Sequence, residues 1–270
     1  MHLYLPTGEK PSGKTLYEVP NKSKGGMRPA NVRDAKEYGA GPGVTEVGKN
    51  LDLADWRGQM MIEALKEWYK TNSHVPTYKE IKPLYYEKMS EAREFGTAVH
   101  DKLEQYMRNA GLVSFDEDRI RTCTMPAIQW LHDNVEEVKA VEHPFYHLGY
   151  GGKIDLIAKI RDLWYVIDYK TQGLKGKSFK TYDNYIQLAA YQDAASFEFE
   201  LDLRVGNLMI NSDPSNPKVE FIDHTAKLDQ GFAEFMSMYL MWCLQKDFMP
   251  PNFAMEVILQ AISEHPLLKG

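Results

Sequence analysis

Apolar side chains recur at helical spacing three times in the first half of the chain, and then the period shortens to two. Between about residues 51 and 69, Leu53, Trp56, Met60, Ile62, Leu65 and Trp68 outline one amphipathic helix. Phe95, Val99, Leu103 and Met107, each four residues after the last, outline a second over about 89–110. A third is predicted over 125–138, with Pro126 in its first turn, where proline is tolerated. Residues 139–148, 152–160 and 163–170 then read as strands, followed by a helix over 183–197. Two more strands, 203–211 and 217–222, flank the turn-forming stretch SDPSNP, and a last helix covers 228–244. This order predicts an α/β fold with a mixed central β-sheet flanked by helices, formed by residues 51–270 as one domain with a helical N-terminal part. Residues 1–50, rich in Gly, Pro, Lys and Ser, read as an extended or flexible leader.

Composition narrows the class. With 43% hydrophobic and 26% charged residues over 270 positions, the chain can bury a real core. No apolar run approaches the roughly 20 residues that span a bilayer, and the first residues lack the apolar core of a secretory signal. Two distant cysteines make neither a disulfide framework nor a metal motif, so a reducing cytoplasm, or a host's cytoplasm, is expected, with no membrane partner. The net charge of −6 argues mildly against a nucleic-acid partner. Residues 151–181, however, hold seven Lys or Arg against three Asp. No feature points to a particular oligomeric state.

That basic stretch contains GGKIDLIAKIRDLWYVIDYKT. If Arg161-Asp162 is a two-residue hairpin turn, Ile160 faces Leu163, and the same register sets Asp155 opposite Asp168. Their Cβ atoms would then lie about 4.5–5.5 Å apart. Lys170 falls on the Asp168 face by alternation. Opposed carboxylates repel, and burying them uncompensated costs several kcal/mol, so a cation is expected between them. A hard divalent ion, magnesium or manganese, suits two carboxylates and a backbone carbonyl such as that of Tyr169. It could polarise a phosphodiester, with Lys170 orienting or deprotonating a water or stabilising developing charge. The plainer reading is two exposed strand charges, one paired with Lys170. The register, the apolar flanks and the preceding Gly-Gly weigh against it.

With these residues the sequence resembles the PD-(D/E)XK nuclease superfamily, in the branch of RecB-type nuclease domains, CRISPR-adaptation exonucleases, and phage and mitochondrial genome maintenance exonucleases. Gly96-Thr97-Ala98-Val99-His100 resembles its G-T-x-x-H, Gly152-Lys153-Ile154-Asp155 its G-x-x-D, Asp168-Tyr169-Lys170 its (D/E)-x-K and Gln187-x-x-x-Tyr191 its Q-x-x-x-Y. Glu142 stands where that branch often has an acid. The resemblance covers about residues 95–191 and implies a restriction-endonuclease-like core. It also implies His100 as a metal ligand, Glu142 as a further ligand or water-mediated partner, and Gln187 and Tyr191 as groups that position Lys170 or a phosphate. Some relatives hold an iron–sulfur cluster through four cysteines. Two cysteines cannot, so no such cluster is expected.

The plainer alternatives are a surface His100 beside Glu104, a half-exposed Glu142 and a core Tyr191. His143 and His147 read as surface residues. Lys175, Lys177 and Lys180 lie in a glycine-containing loop that could follow a phosphate backbone, with Phe179 and Tyr182 stacking on bases, or could simply be solvated. The reading is a metal-dependent exonuclease acting on single-stranded or end-containing DNA in replication, recombination or repair, phage-like in character. The alternatives are an endonuclease on the same core and a nucleic-acid-binding module without catalysis.

Overall fold

The computed structural model describes residues 2–7, 13–23, 25–48, 54–109, 111–174 and 176–265, the side chains of 54–59 excepted. Strands β1 (Leu3–Pro6), β2 (Gly13–Leu16), β3 (Glu18–Pro20), β4 (Met27–Pro29) and β5 (Gly41–Pro42) come first, with helices α1 (Val32–Tyr38) and α2 (Val44–Val47) among them. Helices α3 (Ala54–Trp68), α4 (Tyr78–Arg108) and α5 (Asp118–Asn134) follow. Then come β6 (Val135–His147), β7 (Tyr150–Ile160), β8 (Leu163–Gln172), α6 (Asn184–Phe199), β9 (Leu203–Asn211), β10 (Val219–Asp223), α7 (Leu228–Lys246) and α8 (Met255–Ser263).

The central sheet has the order β10-β9-β8-β7-β6. Strands β6 to β8 form the expected antiparallel meander, and α6 carries the chain to β9, which runs parallel to β8. Central strand β8 is covered on both sides, which explains why its apolar residues run on rather than alternate. On one face Val166 joins residues of α6, α7 and α8 in a core built around Tyr150, Phe235 and Tyr239. On the other, Tyr165, Ile167 and Tyr169 pack with Phe95, Val99 and Leu103 of α4 and with α5. Among the described residues no helix is long and apolar enough to cross a membrane.

Several boundaries differ from expectation. Helix α4 begins eleven positions before residue 89, because Thr77 and Glu80 form a capping box there, with Glu80 accepting from the Thr77 N–H at 2.8 Å. Pro126 lies inside α5 rather than in its first turn, since that helix starts at Asp118. Helix α8 was not expected at all. Residues Leu53 and Trp56 of the first predicted helix lie outside the described side chains.

The leader differs most. Its described part is not an extended arm but carries a small sheet, β2-β1-β5, and a capped helix in which Asp34, buried, holds Arg28 through two 2.7 Å bonds. Leu3, Val19, Ala30, Ala35 and Ala40 give it a miniature core. Few residues separate its elements, so periodicity over a window is too short to register.

This sheet rests on β6 and β7, where Gly151 leaves room for Tyr4, and the next residue, Gly152, leaves room for two rings of the main domain. At Gly152 a Cβ would stand 2.7 Å from the Phe145 ring and 2.8 Å from the Tyr191 ring. Gly152→Ala should therefore cost about 1–3 kcal/mol, as overpacking does, and would be read as a lower urea midpoint. An unchanged midpoint would mean that the rings move aside freely.

Candidate active site

The hairpin turn forms as its sequence requires. Arg161 and Asp162 both take positive φ, 48° and 62°, the pattern of a two-residue type I′ turn. Ile160 pairs with Leu163, and the ladder continues to Leu156–Ile167. There it stops. From this rung β7 continues its pairing with β6, and β8 continues with β9 as far as Gln172. The two strands fork, and Asp155 and Asp168 occupy the first rung past the fork.

The same rung extends further on both sides. Pairing of β6 with β7 on either side, Val141–Leu156 and His143–Ile154, sets Glu142 opposite Asp155. Across the parallel ladder Asp168 pairs with Asn207 of β9. One rung of the sheet thus reads Glu142, Asp155, Asp168, Asn207. Asp155 and Asp168 are 7% and 3% exposed, so water does little to screen them.

Each carboxylate has a cationic or donor partner. His100 Nδ1 of α4 stands 3.4 Å from Asp155 Oδ2, and the Tyr169 N–H donates to the same oxygen at 2.8 Å. The Lys170 ammonium contacts both oxygens of Asp168, at 2.7 and 3.0 Å. Asn207 donates to Asp168 Oδ2 at 2.8 Å and to the Asp168 carbonyl at 3.2 Å. Gln187 of α6 accepts from Lys170 at 3.3 Å and donates to Asp168 Oδ1 at 3.3 Å and to the Tyr191 hydroxyl at 2.8 Å. Lys153 pairs with Glu142.

Charge states follow from these contacts. Burial pushes the Asp155 carboxyl up, but His100, Lys170 and the Tyr169 N–H outweigh it and hold Asp155 below the usual carboxylate range. Burial, joined by the like charge of Asp155, raises Asp168 in spite of Lys170. Burial opposes protonation of His100, yet Asp155 and Asp168 prevail and raise its pKa. The same competition, won by Asp168 and Asp155, keeps Lys170 above its ordinary value.

His100, Glu142 and Asp155 each offer a ligand atom, all within 4.8 Å of one another. Two carboxylates and an imidazole at that spread fit a common divalent ion, which needs oxygen or nitrogen donors about 2.0–2.6 Å away. Asp168 is not in that group; its oxygens meet Lys170, Asn207 and Gln187. Tyr169, whose carbonyl was expected at an ion, meets the site through its N–H.

Gly96, inside α4, explains how His100 reaches the fork: a Cβ there would stand 3.2 Å from the Thr171 hydroxyl of β8. Glu104 is not beside His100 as a partner but bonds Arg108 at 2.7 Å. Tyr191 is both core and site, 4% exposed with its hydroxyl on Gln187. His143 and His147 are not free surface residues; they pair with Glu198 and Asp193 of α6 at 2.9 and 3.2 Å. Of the loop lysines, Lys175 lies outside the described residues, Lys177 is exposed, and Lys180 lines a cleft of about 690 Å³. Phe179 is covered by Lys218, 5.4 Å from its ring centre. Lys170, Tyr182, Lys88, Arg119 and Phe95 also line the cleft, the Arg119 guanidinium lying 4.4 Å from the Phe95 ring centre.

Asn207 and Lys153 escaped the sequence reading. A lone amide within the apolar run VGNLMI was the available signal for Asn207, which is fully buried. Asn207→Ala should destabilise the metal-free protein by about 2 kcal/mol, the usual worth of a hydrogen bond to a charged group. Denaturant unfolding in EDTA would measure it, and no loss would show that Lys170 and Gln187 satisfy Asp168 without Asn207.

The family model of the PD-(D/E)XK nuclease superfamily matches residues 37–239. No curated protein matches the chain in sequence. Among solved structures, a Eubacterium rectale protein described provisionally as an exonuclease is 11% identical, with a TM-score of 0.42, covering 62% of this chain and 74% of that one.

Proposed function

The chain belongs to the PD-(D/E)XK nuclease superfamily, and we propose that it is a metal-dependent exonuclease acting on single-stranded or end-containing DNA. The observation that carries this reading is the buried rung of Glu142, Asp155 and Asp168 at the fork of β7 and β8, with Lys170 and His100 set against it. A purely binding surface has no use for three carboxylates on one rung, because they repel a phosphate.

His100, Glu142 and Asp155 would hold a divalent ion, magnesium or manganese, with Asp168 beside them on the neighbouring strand. Such an ion supplies Lewis-acid polarisation of the scissile phosphodiester and an acidified water. The chain's own groups do the rest. Lys170, held against Asp168, orients or deprotonates the attacking water or stabilises charge developing on the phosphate. Gln187 aims it by accepting a hydrogen bond from its ammonium, and Tyr191 steadies Gln187 from a turn further along α6 by accepting one from the Gln187 amide. Tyr169 fixes the Asp155 oxygen through its N–H.

The cleft beside Lys170 supports a nucleic-acid substrate. At about 690 Å³ it has room for a nucleotide-sized group beside Lys170. Arg119 and Lys180 among its lining residues suit phosphates and Tyr182 offers a ring for a base, while Lys66, Lys70 and Lys88 are paired with Glu63, Glu67 and Glu91 of the same wall. DNA, rather than RNA, is proposed on the likeness of the motifs to those of DNA exonucleases. A role in recombination or repair, and a site of action in the cytoplasm, are part of the same proposal.

The test is digestion of end-labelled single strands, linear duplex and closed circles with magnesium, manganese or EDTA. Metal-dependent loss of linear DNA alone is expected, with the label position giving polarity. Nicked circles would overturn the exonuclease reading in favour of an endonuclease, and no cutting under any metal would overturn catalysis altogether. Asp168→Ala and Lys170→Ala, shown to be folded by circular dichroism, should each lose roughly a hundredfold or more in kcat. Arg119→Ala should instead raise KM several-fold and leave kcat nearly unchanged, since its proposed contact is with bound phosphate rather than with the reacting one.

A further inference from the structure

We propose that Lys153 is a tethered counter-ion that holds Glu142 in the metal-free protein and is displaced when a divalent ion binds. This inference rests on the reading of His100, Glu142 and Asp155 as ligands. Lys153 lies two residues before Asp155 and so projects from the same face of β7. Across the β6–β7 ladder it is diagonal to Glu142, within reach of a long side chain, and the two form an ion pair.

The pair is lopsided. The Glu142 side chain is 8% exposed, whereas that of Lys153 is 45% exposed. Glu142 is therefore the fixed member and Lys153 the movable one. Glu104 and Tyr17 lie within electrostatic reach of the Lys153 ammonium, which gives it an anionic neighbour when it leaves Glu142.

Three carboxylates on one rung need positive charge whether or not an ion is present. Lys170 answers Asp168, His100 answers Asp155, and Lys153 answers Glu142. Only the last two of these acids belong to the group that fits an ion, and of their partners only Lys153 offers no ligand atom to it. A divalent ion beside Glu142 repels the nearby ammonium and takes over its screening. Lys153 thus lowers metal affinity while protecting the empty site from its own repulsion.

The experiment is calorimetric binding of Mn²⁺ to the full chain without nucleic acid. Lys153→Met should bind the ion about fivefold more tightly, the fold-change that a partly exposed ion pair of ~1 kcal/mol commands. Lys153→Arg should bind like the wild type. Lys159→Met, on the same strand but paired with Asp162, controls for general loss of positive charge. In a Glu142→Gln background the gain from Lys153→Met should vanish. Equal or weaker binding by Lys153→Met overturns the inference, as does a gain that persists in Glu142→Gln or is matched by Lys159→Met. Lys153→Gln serves if the methionine variant does not fold. Because only the ion is used, a protein that behaves as expected but cuts no DNA leaves this inference standing and sinks the nuclease reading. A wild type that binds no Mn²⁺ sinks the ligand assignment on which both depend.

Discussion

Three carboxylates share one rung of a β-sheet in this protein, with two of them almost fully removed from water. Like charges directly opposite one another destabilise a sheet, and burial strengthens the repulsion. The arrangement persists because each acid is answered: Asp155 by His100 and the Tyr169 N–H, Asp168 by Lys170, Gln187 and Asn207, Glu142 by Lys153. These partners come from three strands and two helices. The fork between β7 and β8 matters as much as the charges, since unpaired strands leave room for side chains that a continuous ladder would crowd.

The packing around the rung serves the same end. Helix α4 can bring His100 to the fork because Gly96 lets it lie close to Thr171 of β8. Helix α6 delivers Gln187 from the opposite side, anchored by Tyr191 against Phe145 and Gly152. The leader sheet closes over β6 and β7, where Tyr4 lies against Gly151. The site is thus held between two hydrophobic cores, one on each face of the sheet, and rigid elements rather than loops carry its key side chains. That suits a centre whose geometry must survive strong internal repulsion.

Net charge gives little warning of this. The chain is acidic overall, yet the stretch from 151 to 181 is basic, and the cleft beside Lys170 gathers more Lys and Arg than Glu. Phosphate recognition depends on the local field, which a whole-chain sum averages away.

The hairpin was legible in the sequence because its register depends only on local spacing: a two-residue turn fixes the opposed pairs as far as Leu156–Ile167, with Asp155 and Asp168 next in line where the strands part. The helices bearing His100, Gln187 and Tyr191 were legible for a similar reason, since residues four apart share a helical face. Helix starts and the leader were not, because a capping box at Thr77 and strands of three or four residues leave no long period to read. Tertiary structure alone decided that Asn207 of a parallel strand faces Asp168, whereas the two-residue turn Leu148-Gly149 between β6 and β7 already sets Glu142 opposite Asp155 and Lys153 diagonal to it. The parallel pairing of β8 with β9 is one that no short turn dictates, since α6 lies between them. Sequence spacing sets which residues share a face, but only packing through the whole domain sets which faces meet.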